Sequence, residues 1–153
     1  MRLRHALAAT TAAAALALTT AGVATAAPES TQSCGWFDIG SPGNITIGGN
    51  YAGQVEQQYD GCGNSRGHFQ WAGPFQANYA TVTVFMWASN GTQAGFYTGD
   101  TNSKDVYSYN VGIHSTSPDA WEASATVSGC NATGTMHNYA DGGTWWDPNN
   151  AYC

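Results

Sequence analysis

The stretch VEQQYDGCGNSRGHFQW, residues 55–71, decides the fold. Its middle, DGCGNS, is a cluster of turn-forming residues, and apolar and polar side chains alternate on both sides of it. Six positions are predicted to share the inner face, paired as Tyr59 with Gly67, Gln57 with Phe69, and Val55 with Trp71. The opposite face is polar and carries Glu56, Gln58, His68 and Gln70. This alternation is typical of an antiparallel hairpin that lies on a core with one face.

The same pattern extends along the chain and predicts an all-β fold. The segment YATVTVFMWA, residues 79–88, is apolar or neutral on both faces, which favours a central strand. Short aromatic and β-branched runs alternate with turn clusters such as SPGN, SNGT and STSPD, and no apolar period of 3.6 residues is sustained. We therefore expect a compact antiparallel β-sandwich or barrel of seven or eight strands.

Three further segments give more specific expectations. Asn90-Gly91 predicts a two-residue type I′ turn that places Phe85 opposite Phe96 and Trp87 opposite Ala94. Residues 105–113 are predicted to form one strand with a shared face of Tyr107, Tyr109, Val111 and Ile113. Residues 119–128 are predicted to form another, with Trp121, Ala123, Ala125 and Val127 on one face.

The N-terminal residues resemble an export signal. Arg2 and Arg4 precede an Ala/Leu/Thr-rich run that ends in the Ala24-Thr25-Ala26 cleavage pattern. We expect a signal peptide over residues 1–26, a flexible tail over 27–33 and one β-domain over 34–153, secreted to the extracellular space. No membrane insertion is expected after cleavage.

Charge narrows the choice of partner. Beyond residue 26 the chain has two strong cations, Arg66 and Lys104, and ten acidic residues, which gives a formal net charge of −8. Nucleic-acid binding depends on Lys and Arg contacts to phosphates, so this balance argues against it. No cofactor is expected.

The four cysteines, in a chain expected to be secreted, predict two disulfides. Three pairings are possible. Cys34–Cys62 with Cys130–Cys153 is favoured, because each bond closes a local loop and the second one holds the C-terminus. The spacings contain no C-x-x-C pair, so no zinc site is expected.

Catalytic and metal-binding residues are the next alternatives. Glu56 and Glu122, each on a polar strand face, would be the two carboxylates if the chain were a small glycoside hydrolase. The histidines show no metal-ligand spacing, and the Asp/Asn-rich loops lack the calcium-loop pattern, so plain turns and no metal are expected.

Aromatic residues are the strongest indication of a binding role. Six Trp, eight Tyr and five Phe occur among the 127 residues beyond residue 26, more than a core of this size needs. An exposed Trp or Tyr can stack on a sugar or anchor a protein interface. We expect Trp145, Trp146 and Tyr152 to be the contact residues, with Trp87 next.

The motif V-E-x-x-Y-x-x-C-G, formed by Val55, Glu56, Tyr59, Cys62 and Gly63, resembles the strand–turn segment of the YjfA-like proteins, small secreted actinobacterial β-domains. The resemblance covers about 15 residues and implies secretion and a β-fold, but no catalytic residue.

The sequence thus predicts a secreted, non-catalytic binding module whose partner is a polysaccharide or another secreted or cell-surface protein. A glycoside hydrolase is one alternative. A protease inhibitor that presents residues 60–66 is another.

Overall fold

Alternating buried and exposed side chains organise the chain into two β-sheets that enclose one core. The computed structural model describes residues 33–144 and 146–153. The predicted signal peptide and residues 27–32 of the predicted tail therefore lie outside the described residues, as does Trp145. The expected all-β sandwich is confirmed.

Eleven strands occur within the described residues, in place of the seven or eight expected. In chain order they are β1 (Phe37–Ile47), β2 (Asn50–Tyr59), β3 (Asn64–Trp71), β4 (Thr81–Ala88), β5 (Gln93–Asp100), β6 (Asp105–Tyr107), β7 (Val111–Gly112), β8 (Ala120–Val127), β9 (Cys130–Thr133), β10 (His137–Asn138) and β11 (Ala151–Tyr152). The excess over the prediction comes mainly from two- and three-residue strands. A 3-10 helix spans Phe75–Ala77.

The first sheet has the strand order β11-β1-β2-β3-β6, with β7 also paired to β3, and the second has the order β10-β8-β4-β5, with β9 paired to β8. All pairings are antiparallel except β1 with β11.

The core lies between the two sheets and is made of alternate residues from their central strands. It contains the buried side chains Val55, Phe69, Trp71, Val82, Val84, Met86, Trp121, Ala123, Ala125 and Val127. Burying each large apolar side chain contributes about 1.5–3 kcal/mol. The indoles of Trp71 and Trp121 donate to the carbonyls of Asp100 and Ile113, so neither buried N–H is unpaired.

The hairpin over residues 55–71 forms with the predicted faces, but its register is shifted by two residues. Val55 lies opposite Phe69, and Gln57 lies opposite Gly67. The reason is the tight turn, in which the Asp60 carboxylate accepts hydrogen bonds from the backbone N–H groups of Cys62 and Asn64. The second strand therefore starts at Asn64, earlier than the sequence pattern predicts.

The hairpin between β4 and β5 differs from the prediction in its turn. Ala88 N–H donates to Thr92 O, so the loop has three residues, and Asn90 does not have a positive φ. A bulge follows at Gly95, whose φ of +72° lies in the left-handed region. As a result Trp87 lies opposite Gln93, while Phe85 and Phe96 still stack with ring centroids 4.8 Å apart.

Two further expectations need correction. Residues 105–113 are interrupted between β6 and β7, because Ser108 turns its backbone N–H and its hydroxyl toward Gly67. Val106 and Val111 are buried while Tyr107 and Tyr109 are exposed, so the predicted shared face does not form. The SPGN cluster, residues 41–44, is not a turn but a register shift inside β1.

The disulfides Cys34–Cys62 and Cys130–Cys153 form as favoured. The second connects the start of β9 to the last residue of the chain, beside β11. Within the described part of the chain, no helix combines the length and the apolar character that crossing a bilayer requires.

Candidate functional site

Trp87 and Glu122 are neighbours on the outer face of the second sheet. Both occupy outward positions, because Met86, Ala88, Trp121 and Ala123 on either side of them are in the core. The pairing of β4 with β8 places the two residues directly opposite each other. An aromatic ring and a carboxyl group are thereby held side by side on rigid strands.

The C-terminal segment forms the other wall of this region. Thr133 and Asn149 exchange two backbone hydrogen bonds, of 2.9 and 3.2 Å, which fix the segment against the end of β9. Trp146 and Asp147 then line a groove of about 610 Å³ together with Trp87 and Glu122. We call this the Trp groove; its remaining lining residues are Ala88, Ser89, Asn90, Gly91, Thr133 and Asn149.

Two polar groups in the Trp groove lack partners among the described residues. The hydroxyl of Ser89 is buried and makes no hydrogen bond. Glu122 is 6% exposed as a whole residue, and its carboxyl group makes no hydrogen bond or ion pair with the described residues. Burial raises the pKa of Glu122 to about 7, because a charged carboxylate is poorly solvated there. Buried polar groups without partners are uncommon in proteins, and a bound ligand can satisfy them.

The structure brings together two of the four aromatic residues that the sequence singled out. Trp87 is 37% exposed and Trp146 is 58% exposed, and both line the Trp groove. Tyr152 is exposed but lies on β11, beside Thr46 at the edge of the first sheet, and does not line the groove. Trp145 lies outside the described residues.

The structure does not bring Glu56 and Glu122 together. Glu56 points outward from β2 in the first sheet, and Glu122 points outward from β8 in the second, with the core between them. Stacked sheets are about 10 Å apart, and side chains on their outer faces are farther apart than that. A glycosidase pair needs carboxyl groups roughly 5–10 Å apart across one cleft. These two residues cannot act on one glycosidic bond.

A second polar cluster covers the outer face of the first sheet, around His68. Its Nδ1 lies 3.1 Å from a Glu56 oxygen and its Nε2 lies 2.9 Å from an Asp105 oxygen. Burial, and then the nearby Asp38 carboxylate, raise the pKa of Glu56. A hydrogen bond from Gln70, and then one from His68, lower the pKa of Asp105. We call Asp38, Glu56, His68 and Asp105 the His68 cluster.

Arg66 borders the His68 cluster. Its guanidinium lies between the rings of Trp36 and Tyr107, 4.1 and 4.2 Å from their centroids, and its Nε donates to the Gln58 oxygen at 2.9 Å. The Tyr107 ring also stacks on His68, with centroids 4.7 Å apart and planes 12° apart. Stacking on both sides immobilises the guanidinium and leaves it little freedom to reach a partner in solution.

The turn of residues 60–66, which a protease inhibitor would present, is held in place by hydrogen bonds and a disulfide. Burial alone would raise the pKa of Asp60, but hydrogen bonds from Asn64 and Cys62 lower it below its ordinary value. Cys62 is exposed and is fixed by its disulfide to Cys34. The inhibitor alternative stays a prediction, because rigidity alone identifies no protease.

Sequence reasoning missed several of these residues. Asp105 and Asn149 reach the cluster and the groove through pairings between segments distant in sequence, and Asp38 reaches the cluster through the pairing of β1 with β2. The outward parity of Glu56 and His68 was visible in the alternation, and was the one signal that pointed to the His68 cluster.

Comparison with known proteins found no matching family model, no matching curated protein and no matching solved structure. The resemblance to YjfA-like proteins therefore stays a prediction. Function is therefore inferred from the geometry of the Trp groove and of the His68 cluster.

Proposed function

We propose that this chain is a secreted, non-catalytic binding module that holds a saccharide in the Trp groove. The observation that carries the proposal is the convergence of Trp87 and Trp146 on one groove that Glu122 and Asp147 also line. Two disulfides support an extracellular setting, since such bonds persist in oxidising compartments.

The chemistry of the groove matches that of a sugar ring. A pyranose has an apolar C–H face, which packs on an aromatic ring, and a rim of hydroxyl groups, which need hydrogen-bonding partners. Asp147 and Asn149 also line the groove and can offer a carboxyl and an amide group. Ser89 and Glu122 offer a hydroxyl and a carboxyl group that have no other partner among the described residues.

The size of the groove favours a small ligand over a protein. Small-molecule sites have volumes of roughly 300–1,000 Å³, and a groove of about 610 Å³ falls within that range. A stable protein interface buries about 800 Å² on each partner, so it would have to extend well beyond the groove. A secreted protein partner is thus the less favoured alternative.

Retention on insoluble polysaccharides tests the proposal. The purified protein is mixed with a panel of insoluble glycans, and the bound fraction is measured after centrifugation. We expect one or more glycans to retain it, and Trp87→Ala and Trp146→Ala each to weaken retention about ten-fold or more. Tyr79→Ala is the matched control, because Tyr79 is 85% exposed and does not line the groove. Equal losses in all three variants, or retention by none of the glycans, would contradict a saccharide site in the groove.

Glycoside hydrolysis is a second candidate, favoured by the state of Glu122. With its pKa raised to about 7, Glu122 is partly protonated at neutral pH, as a general acid must be. Asp147 lines the same groove and would be the second carboxylate, in place of Glu56. Release of reducing sugar from a retained glycan, abolished by Glu122→Gln, would support this candidate. Retention without release would support binding alone.

A further inference from the structure

We propose that the His68 cluster is a binding site for a divalent transition-metal ion, with His68, Glu56 and Asp38 as the protein ligands and Asp105 as the residue that orients the histidine. This site lies on the first sheet and is separate from the Trp groove on the second. The inference is independent of the proposed function.

The three ligand residues come from three adjacent strands. Asp38 is on β1, Glu56 on β2 and His68 on β3, all on the outer face of the sheet. One oxygen from each carboxylate and one ring nitrogen of His68 all lie within 4.8 Å of one another. Ligand atoms about 2.0–2.2 Å from a shared ion are separated by roughly 3–4 Å. Small rotations of exposed or half-buried side chains therefore suffice to bring these atoms to bonding distance.

The surroundings of His68 are those of a metal-binding histidine. A ligating histidine commonly donates its other ring N–H to a carboxylate, which fixes the tautomer and the ring orientation. The Asp105 oxygen lies 2.9 Å from Nε2 of His68, and Gln70 holds the same oxygen through a hydrogen bond of 3.0 Å. Stacking on Tyr107 fixes the plane of the ring. With Nε2–H directed at Asp105, Nδ1 presents its lone pair beside Glu56.

Asp38 is oriented by a chain of contacts. Gln58 Nε2 donates to Asp38 at 2.7 Å, and Gln58 Oε1 accepts from Arg66 at 2.9 Å. Arg66 is in turn held between two aromatic rings. The carboxylate is thus positioned by Gln58 while its remaining lone pairs are available to an ion.

The charge of the cluster favours a cation. Asp38, Glu56 and Asp105 supply three carboxylates, against the positive charges of Arg66 at the border and of Lys104, which acts electrostatically on Asp105. Asp38 is exposed and Glu56 is half-buried, so an ion can enter from solvent.

The ligand set indicates the class of ion. One imidazole nitrogen with two carboxylates suits zinc and its first-row neighbours, whereas calcium prefers six to eight oxygen ligands. Three protein ligands also leave positions for water or for an external group, as in open zinc sites.

Isothermal titration of the tag-free protein with Zn²⁺, after dialysis against a chelator, tests the site. We expect one equivalent of Zn²⁺ to bind. Asp38→Asn and His68→Gln should each weaken binding at least ten-fold, and Asp105→Asn should weaken it about ten-fold without abolishing it. Ca²⁺ at equal concentration should not compete.

A second histidine–carboxylate pair, outside the His68 cluster, provides a matched control. His114 is exposed and contacts Asp119 at 2.5 Å, which makes it another histidine–carboxylate pair. His114→Ala should leave Zn²⁺ binding unchanged. Absence of binding by the wild-type protein at millimolar Zn²⁺ would overturn the proposal. So would equal affinity in the wild-type, Asp38→Asn and His68→Gln proteins, provided that circular dichroism shows the variants folded.

Discussion

The side-chain amide of Gln57 and the hydroxyl of Tyr139 form a 2.7 Å hydrogen bond that connects the two sheets through the core. Gln57 is fully buried in β2, and its amide also donates to the Ser65 hydroxyl at 3.1 Å. Its carbonyl oxygen has no partner among the described residues. This explains the buried glutamine on the inner face of the first hairpin: its amide makes specific hydrogen bonds to Tyr139 and Ser65.

Replacing Gln57 with Glu should destabilise the fold strongly at pH 8. The substitution keeps the shape of the side chain but removes the donors to Tyr139 and Ser65 and adds a buried charge without a counter-ion. We expect the free energy of unfolding to fall by about 3 kcal/mol or more. Guanidinium titration measures the loss, and Gln54→Glu, on the outer face of the same strand, is the control and should change it by no more than about 0.5 kcal/mol. Similar losses in both variants would contradict the role of Gln57.

The stability of the protein should depend on pH through Glu122. Its pKa is about 7 when folded and near 4.5 when unfolded, so the folded state binds more protons between these values. Stability from this group is therefore fully present below about pH 4.5 and is lost as the pH rises through 7.

Glu122→Gln should remove this dependence. We expect the variant to match the wild type near pH 4 and to exceed it at pH 8 by on the order of 2–3 kcal/mol. Denaturant unfolding at several pH values gives the comparison. A difference between the two proteins that does not change with pH would be inconsistent with a perturbed Glu122.

Gly43 is expected to tolerate no side chain. A Cβ atom there would lie 2.1 Å from the carbonyl oxygen of Thr133 and 2.9 Å from that of Asn149, both backbone atoms that cannot rotate away. Gly43→Ala should therefore cost about 1–3 kcal/mol or more, measured by denaturant unfolding. Gly112→Ala is the control, since a Cβ at Gly112 meets no atom within 4 Å. Equal stability of the two variants would show that β1 and β9 are less tightly packed than described.

The two disulfides should differ in which part of the chain they protect from proteolysis. They span 28 and 23 residues, so each should contribute about 3 kcal/mol through the unfolded chain. Cys130–Cys153 also holds the C-terminal segment that carries Trp146. Limited proteolysis should cut near residues 140–153 much faster in the Cys130→Ala/Cys153→Ala variant than in the Cys34→Ala/Cys62→Ala variant. Identical cleavage patterns would refute this local role.

The period-two alternation of side chains was sufficient to predict the fold class and the strand faces. It placed Trp121, Ala123, Ala125 and Val127 on one inward face, and all four are in the core. It could not predict register, because register depends on features that add or remove single residues. The Asp60 turn and the bulge at Gly95 are two such features.

The candidate sites were harder to predict from the sequence than the fold class and the strand faces. Trp87 and Trp146 were recognised as exposed aromatic residues, but their meeting with Glu122 depends on the pairing of β4 with β8 and on the bridge from Thr133 to Asn149. The His68 cluster combines three strands that follow one another in sequence, β1, β2 and β3, with the more distant β6. Pairings of distant segments, such as β3 with β6 and β4 with β8, complete the two sites, and local patterns do not encode them.

The bulge at Gly95 has a consequence for how copies of this protein behave when concentrated. β5 is the outermost strand of its sheet, and an outermost strand offers free backbone groups to which another chain can add. Here the Gly95 carbonyl already accepts a hydrogen bond from the Tyr109 N–H at 2.8 Å, and the strand bends at that point. This contact and this bend make it harder for a strand of another copy to pair along the whole length of β5.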